Sequence, residues 1–159
     1  MIKVIVPNKP EFKCGYRADI TELDLSNCPN LTQLWCENNQ ITELDLSSCP
    51  NLTYLWCSYN KITELDLQNC PNLTLLECNH NQLTELELSN YPNLTQLECN
   101  ENEITELDIS QNHKIIYMDI YNNPLNIFDN YNIDSIDDIE KYRQWCIENY
   151  TYHNNYTLK

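Results

Sequence analysis

The sequence predicts a solenoid, one chain wound into stacked coils of 21 residues. Three observations predict it. The stretch Ile41–Lys61, ITELDLSSCPNLTYLWCSYNK, recurs as Ile20–Gln40, Ile62–Gln82, Leu83–Glu103 and a weaker Ile104–Pro124. The five copies are in register and carry no insertion, and self-similarity at a fixed period of roughly 20–50 residues is the signature of stacked repeats. Within each copy the apolar residues alternate with polar ones, as half-buried extended segments require.

The second half of the unit carries the clearer pattern. Leu52, Leu55, Cys57, Asn60 and Ile62 spell LxxLxCxxNxI. Alternation puts Leu55 and Cys57 inward and Tyr54, Trp56 and Ser58 outward. The column Asn39, Asn60, Asn81, Asn102 and Asn123 suits a stacked turn, where an inward amide satisfies backbone groups of its own and the adjacent coil. In the first half Ile41, Leu44 and Leu46 point in, while Glu43, Asp45 and Ser47 point out. The Ser-Cys-Pro-Asn that follows sets a turn, because proline restricts the backbone there. One coil thus holds two extended segments on opposite walls of a thin apolar core.

These residues resemble the leucine-rich repeats, and within that family the short 21-residue class in which two LxxLxL-like segments are nested. The resemblance covers Ile20 to about Phe128. It implies a curved solenoid with a parallel β-sheet on the concave face and an extended or short-strand convex wall. It also implies a binding scaffold without naming a ligand, since fold does not fix function. Two departures stand out: Cys36, Cys57, Cys78 and Cys99 sit where Leu or Asn is commoner, and Gly15 is the single glycine.

Residues 1–19 are expected to form an N-terminal cap, a degenerate first coil in which Phe12-Lys13-Cys14 mimics Leu34-Trp35-Cys36. Cys14 lies one residue too far from Ile20 for the strict repeat. Ile2–Val6 is a candidate edge strand, blunted by Lys3 and Pro7. The five repeats and a final partial turn occupy 20–128, and the fifth drifts, with Ile115, Met118 and Ile120 replacing Leu, Leu and Cys. Ser135-Ile-Asp-Asp138 reads as a capping-box-like start. Ile136, Ile139, Tyr142 and Cys146 follow at helical spacing, predicting a C-terminal capping helix at about 135–149 within a cap of 129–159, with a polar tail from Tyr150.

The formal charge of −15 argues against nucleic acid and anionic membrane surfaces and favours a basic partner. Residues 20–112 hold 15 acidic residues and one basic residue, so the charge lies in the repeats. The N-terminus has only a five-residue apolar run, too short for a secretory signal, and no stretch approaches the roughly 18 apolar residues of a membrane span. Nine cysteines, an odd number, seven of them at fixed repeat positions, read as reduced core thiols, and a cytoplasmic location is expected. The Asn-Leu-Thr sequons at Asn30, Asn51, Asn72 and Asn93 then belong to the repeat consensus.

Four sets of residues could carry chemistry. Glu22, Glu43, Glu64, Glu85 and Glu106, with Asp24, Asp45, Asp66, Glu87 and Asp108 beside them, form outward acidic columns. They read as a solvated wall, the second column bonded locally, rather than a calcium site, which needs oxygens wrapped around one ion. The columns Cys36/57/78/99 and Cys28/49/70 point the same way from successive rungs, so they read as packing rather than a tetrahedral zinc site, and no metal or cofactor is expected. His80, His113 and His153 share no metal or triad spacing, and no catalytic residue or enzyme activity is expected.

The fourth set is the concave face, where outward positions vary. Its candidate partner-binding residues are Trp35, Trp56, Tyr54, Tyr59, Glu77, His80, Glu98, Glu101, Tyr117, Asp119 and Tyr121. The expected function is a non-enzymatic protein-binding scaffold that takes a basic or apolar-flanked protein surface on the concave sheet, the chain itself monomeric. The alternative is a structural module that forms homo-oligomers through its ends or its aromatic cluster.

Overall fold

A computed structural model describes residues 2–125 and 138–145. The strands in chain order are β1 (Ile2–Ile5), β2 (Glu11–Lys13), β3 (Ile20–Asp24), β4 (Gln33–Trp35), β5 (Tyr54–Trp56), β6 (Leu75–Glu77), β7 (Gln96–Glu98) and β8 (Tyr117–Asp119). Strands β2-β4-β5-β6-β7-β8 form one parallel sheet, the concave wall of the solenoid. Its register is the repeat itself: Leu34 pairs with Leu55, Leu55 with Leu76, Leu76 with Leu97 and Leu97 with Met118.

On the opposite wall β1 pairs in parallel with β3. Beyond β3 that wall is extended without strand pairing, yet most of its inward apolar residues are buried: Ile41 and Ile62 are fully so, and Leu44, Leu46 and Leu67 nearly so. Leu65 is only partly buried. The second wall is therefore held by side-chain packing rather than by a ladder of backbone bonds.

A thin core forces the backbone at each turn inside, and an asparagine column serves it. Asn60 is buried and accepts a hydrogen bond from Ile41 N at 3.0 Å, the first residue of its own coil. Its amide donates to Cys57 O and Ser58 O of the same coil at 3.0 and 3.3 Å, and to Cys36 O of the preceding coil at 3.0 Å. Asn39, Asn81 and Asn102 repeat the set, and Asn123 closes the column by accepting from Ile104 N at 3.1 Å. Alongside it, Lys61 N donates to Ile41 O, Gln82 N to Ile62 O and Glu103 N to Leu83 O, so each coil is also closed backbone to backbone.

The first coil lies ahead of the strict repeat. Phe12 pairs with Leu34 and Lys13 with Trp35, an offset of 22 residues. The extra residue is taken up between Cys14 and Ile20, where Tyr16 and Ala18 both adopt φ of 62°. A Cβ at Gly15 would stand 2.7–2.8 Å from the Glu37 carboxylate, the far end of a flexible side chain that can move aside, so the close approach there is to a side chain and not to backbone. At the outer edge Pro10 fills the place of Thr32 and Thr53. Thr53 N donates to Thr32 O at 2.8 Å and Thr32 N to Pro10 O at 2.7 Å, but Pro10 has no N–H to offer onward. Lys3 pairs with Glu22 at 2.7 Å and Asp24 at 3.4 Å.

At the other end residues 138–145 form a helix, α1. Ile139 and Tyr142 enter the core, and the Tyr142 hydroxyl donates to Leu107 O at 2.5 Å. Ile136 and Cys146, also expected on this face, lie outside the described residues. The packed face carries a charge that an apolar stripe does not foretell. Arg143 is 3% exposed and donates to Asn112 O at 2.9 Å, with a longer contact to Ile115 O at 3.5 Å. Those carbonyls belong to the last described coil, where Asn112 O also accepts from Ile115 N at 3.2 Å and no further coil among the described residues adds a donor. The guanidinium donates there instead and pairs with Glu140.

The eight described cysteines are all buried and unbridged. Parallel rungs lie about 4.8 Å apart with parallel Cβ vectors, beyond the roughly 3.5–4.5 Å that disulfides prefer. We expect denatured, unreduced protein to titrate close to nine thiols, and a count of one would show that bridges form despite the register. Replacing Asn60 with Ala should cost more than about 3 kcal/mol in urea unfolding, since it strips partners from several buried backbone groups. A loss under about 1 kcal/mol would mean that the asparagine column does not hold the coils.

Candidate functional site

The concave sheet exposes the first and third residue of every strand, because the second points inward: Leu34, Leu55, Leu76 and Leu97 are fully buried. The third-residue column is Lys13, Trp35, Trp56, Glu77, Glu98 and Asp119. Lys13 Nζ sits 3.8 Å from the centre of the Trp35 ring. The Trp35 and Trp56 rings stack at 4.5 Å and 4° between planes, and Tyr54 stacks on Trp56 at 5.7 Å. Trp56 Nε1 then donates to Glu77 Oε1 at 2.9 Å. One column thus runs from cation through aromatic pair to carboxylates.

Both tryptophans face outward, yet both are half-buried by their neighbours. The more exposed aromatics are Tyr54 at 37%, Tyr59 at 51%, Tyr117 at 49% and Tyr121 at 55%. These four tyrosines ring the tryptophan–carboxylate column.

The carboxylates are held. Gln96 Nε2 donates to Glu98 at 2.7 Å and reaches Glu77 at 3.4 Å. Asn79 donates to Glu98 at 3.0 Å and Asn100 to Asp119 at 2.5 Å. Burial pushes the Glu77 carboxyl above its ordinary range, and the charge of Glu98 adds to it. Burial raises Asp119 as well, opposed by the Asn100 bond. Tyr117 is raised chiefly by the charge of Glu98.

The repeat column Glu37, Ser58, Asn79, Asn100 and Tyr121, in which alternation places Ser58 outward, is largely internal. Ser58, Asn79 and Asn100 are buried, not outward. Ser58 Oγ accepts from Asn79 N at 3.0 Å, and Asn79 Oδ1 accepts from Asn100 N at 3.0 Å. Their side chains lie beside the asparagine turn and stitch coil to coil. Tyr121 alone in that column, beyond Glu37, projects as an exposed ring.

The next column has a backbone peculiarity. Asn38, Tyr59, His80, Glu101 and Asn122 have φ of 56°, 56°, 49°, 53° and 52°. Asparagine tolerates this left-handed region, but tyrosine, histidine and glutamate each pay on the order of 1–2 kcal/mol there. The Tyr59 ring stacks on His80 at 4.2 Å, and Asn122 donates to Glu101 at 2.5 Å. Bulky groups are thus kept on the concave rim at positions where glycine or asparagine is easier.

The convex acidic wall is bonded to itself. Asp24 accepts from the Ser26 hydroxyl and N–H at 2.6 and 3.2 Å, Asp45 from Ser47 N at 2.9 Å and Asp66 from Gln68 N at 2.9 Å. Glu87 and Asp108 make the same bond to Ser89 N and Ser110 N. The serine bonds hold the Asp24 and Asp45 carboxyls below their ordinary range.

A shallow recess of about 530 Å³ lies on the flank, lined by Asn8, Pro10, Asn30, Thr32, Asn51, Thr53 and Asn72. The sequon side chains there link coils, Asn51 donating to Pro29 O at 2.8 Å and Asn72 to Pro50 O at 3.2 Å. The core thiols are chemically quiet, with burial raising Cys49, Cys57 and Cys70 to about 12. Among the described residues no group of three or more His, Cys, Asp or Glu could hold a metal ion, and no helix is long and apolar enough to cross a membrane.

A family model for Leucine Rich repeats (2 copies) matches residues 29–69 and again 50–91. The chain is a leucine-rich-repeat protein. Among solved structures, this leucine-rich-repeat chain is similar to the functional domain of InlJ from Listeria monocytogenes, which includes a cysteine ladder. The two are 34% identical with a TM-score of 0.66, over 71% of this chain and 30% of that one. It is similar also to internalin C2 from the same organism, 25% identical with a TM-score of 0.63, over 69% and 55% of the two chains. A third is the leucine-rich-repeat protein LIC12759 from Leptospira interrogans, 26% identical with a TM-score of 0.61, over 66% and 30%. The chain therefore spans between about a third and just over half of each relative's length. A comparison with the curated proteins finds no match.

Gln96 and Asn122 fall on the concave columns in the sequence but, like Lys13, are not among the expected binding residues. The alignment of Phe12-Lys13-Cys14 with Leu34-Trp35-Cys36 already set Lys13 against Trp35 and was the signal for it. Gln96 and Asn122 gain their roles from neighbours 19 and 21 residues away, which only the register reveals.

The two faces are expected to titrate in opposite senses. Glu77 and Asp119 are raised, so the native state binds more protons than the unfolded chain as pH falls from neutral through their raised range. Stability should rise there, by a few degrees in Tm at most. Asp24 and Asp45 are depressed, so their contribution is present above the ordinary carboxylate range, about pH 4, and is lost as pH falls further through their folded values. Glu77→Gln keeps the acceptor for Trp56 and should raise Tm at pH 7 while flattening the rise toward pH 5. An unchanged profile in that variant would show that the concave charge is fully screened.

Proposed function

We propose that the chain is a non-enzymatic scaffold that receives a basic, apolar-flanked protein surface on its concave sheet. The observation that carries this reading is the ordered column on that face. Stacked Trp35 and Trp56 abut Glu77, Glu98 and Asp119, and side-chain bonds fix the carboxylates in place. Holding like charges half-buried on adjacent rungs opposes folding, and a basic partner removes that cost on binding. Tyr54, Tyr59, Tyr117 and Tyr121 supply exposed rings around it, with His80 and Glu101 on the rim; tyrosine, tryptophan and arginine dominate binding hot spots.

Leucine-rich repeats are commonly protein-interaction scaffolds, which supports the class of function without naming a partner. The reading places the protein in the cytoplasm as a monomer. Buried, unbridged cysteines support the compartment, and Pro10, which blunts the outer edge, supports the monomer.

The experiment is affinity capture with the intact chain and two variants that keep the circular dichroism of the parent. Replacing Trp35 and Trp56 with Ser should abolish capture. Replacing Glu77 and Glu98 with Gln should weaken it by about tenfold at low salt and less at high salt. Full retention by the tryptophan variant would move the binding site off the concave face.

A further inference from the structure

The spacing of the acidic rungs indicates the shape of basic segment that fits them, given the concave sheet as the docking face. Glu77, Glu98 and Asp119 hold one strand position on β6, β7 and β8. Parallel strands lie about 4.8 Å apart, so the three carboxylates mark a line of roughly 10 Å along the solenoid axis. On an α-helix, side chains at i, i+4 and i+7 share a face and span about 10.5 Å. In an extended segment three successive same-side residues span about 13 Å. Concave curvature draws the carboxylate heads closer still, which worsens the fit of a strand.

Two features make this line more than a row of acids. The carboxylates are tethered by Trp56, Gln96, Asn79 and Asn100, so little side-chain freedom remains to be lost on binding. The ion pairs among the described residues involve Lys3, Arg17, Lys141 and Arg143, none of them on these three acids. An aromatic surface then continues the line beyond Glu77, where Trp56 and Tyr54 stack. Negative charge over three rungs followed by an apolar rung complements a helix with three cations and one apolar residue on a single face.

We propose that the concave face binds a basic α-helix laid along the solenoid axis. Cationic side chains at i, i+4 and i+7 sit over Glu77, Glu98 and Asp119, and an apolar residue one turn further rests on Trp56 and Tyr54. The convex column Glu43, Glu64 and Glu85 provides an internal control. It has the same rung period, but its side chains are exposed and lie on the outer curve, where the heads splay apart.

The test uses two synthetic peptides of equal charge and composition, followed by tryptophan fluorescence and calorimetry on the full chain. One is a lactam-stapled, alanine-based helix with arginines at i, i+4 and i+7 and a leucine one turn away. The other places the arginines at alternate positions between prolines, which hold it extended. The helix should bind about tenfold or more tightly than the extended peptide. The E77Q/E98Q/D119N variant should lose about tenfold of that affinity, and E43Q/E64Q/E85Q less than about twofold. D119N alone, the mildest change, should lose a measurable part. Equal or tighter binding of the extended peptide would overturn the helical assignment and leave the concave, basic-partner reading in place. Equal losses in the concave and convex variants, or no binding of either peptide at low salt, would overturn both.

Discussion

The structure depends on keeping every backbone group bonded inside a core one coil thick. A solenoid of this width cannot bury its turns behind a second layer, so each turn carbonyl and amide must find a partner along the stack. The asparagine column does this with a single side chain per coil. Its oxygen holds the first N–H of its own coil, and its amide reaches back to the coil before. An insertion in one coil would pull Asn60 out of line with both Ile41 and Cys36. The constancy of the 21-residue period follows from that pair of attachments.

The same constraint produces the left-handed column. The residue before each asparagine must turn the chain sharply while its N–H still reaches the following coil, as Asn38 N does at 2.9 Å to Ser58 O. That geometry holds φ near 50° whatever the side chain. Tyr59, His80 and Glu101 are therefore strained by the stack, and the strain sits on the rim of the face that meets solvent. Small thiols at Cys36, Cys57, Cys78 and Cys99 serve the same tight turn from inside, each fully buried beside the asparagine amide's carbonyl partners.

Much of this was legible because a repeat reports its own register. Once five copies align, strand pairing, inward leucines and the outward order Trp35, Trp56, Glu77, Glu98, Asp119 follow without further information. What escaped is what depends on the third dimension between coils. Ser58, Asn79 and Asn100 alternate as if exposed, yet the coil above covers them, so period alone misplaces them. The left-handed residues carry no glycine to announce them; Asn38 and Asn122 are the visible trace. Arg143 is hidden by its own chemistry, since a helical stripe is read from apolar residues and this helix buries a guanidinium to serve carbonyls of the last described coil. On Pro10 the pattern spoke plainly in retrospect, because it stands where threonine stands in the following coils.

Charge is the last consequence of the period. Any acidic residue in the repeat consensus becomes a column of like charges about 4.8 Å apart, which repel. The two walls relieve this differently. On the convex wall Asp24, Asp45 and Asp66 turn onto the N–H two residues ahead, so each charge is held by local bonds and its head points to open solvent. On the concave wall curvature converges the heads, and burial and Glu98 push Glu77 and Asp119 upward. Amides from Gln96, Asn79 and Asn100 fix these carboxylates without neutralising them. Charge that is merely solvating has been stabilised on the outside; charge that stays unneutralised has been concentrated on the inside, next to the stacked rings. The asymmetry between two columns of the same sign and spacing, rather than the total charge, is what sets the concave wall apart from the convex one and supports the binding face proposed for it.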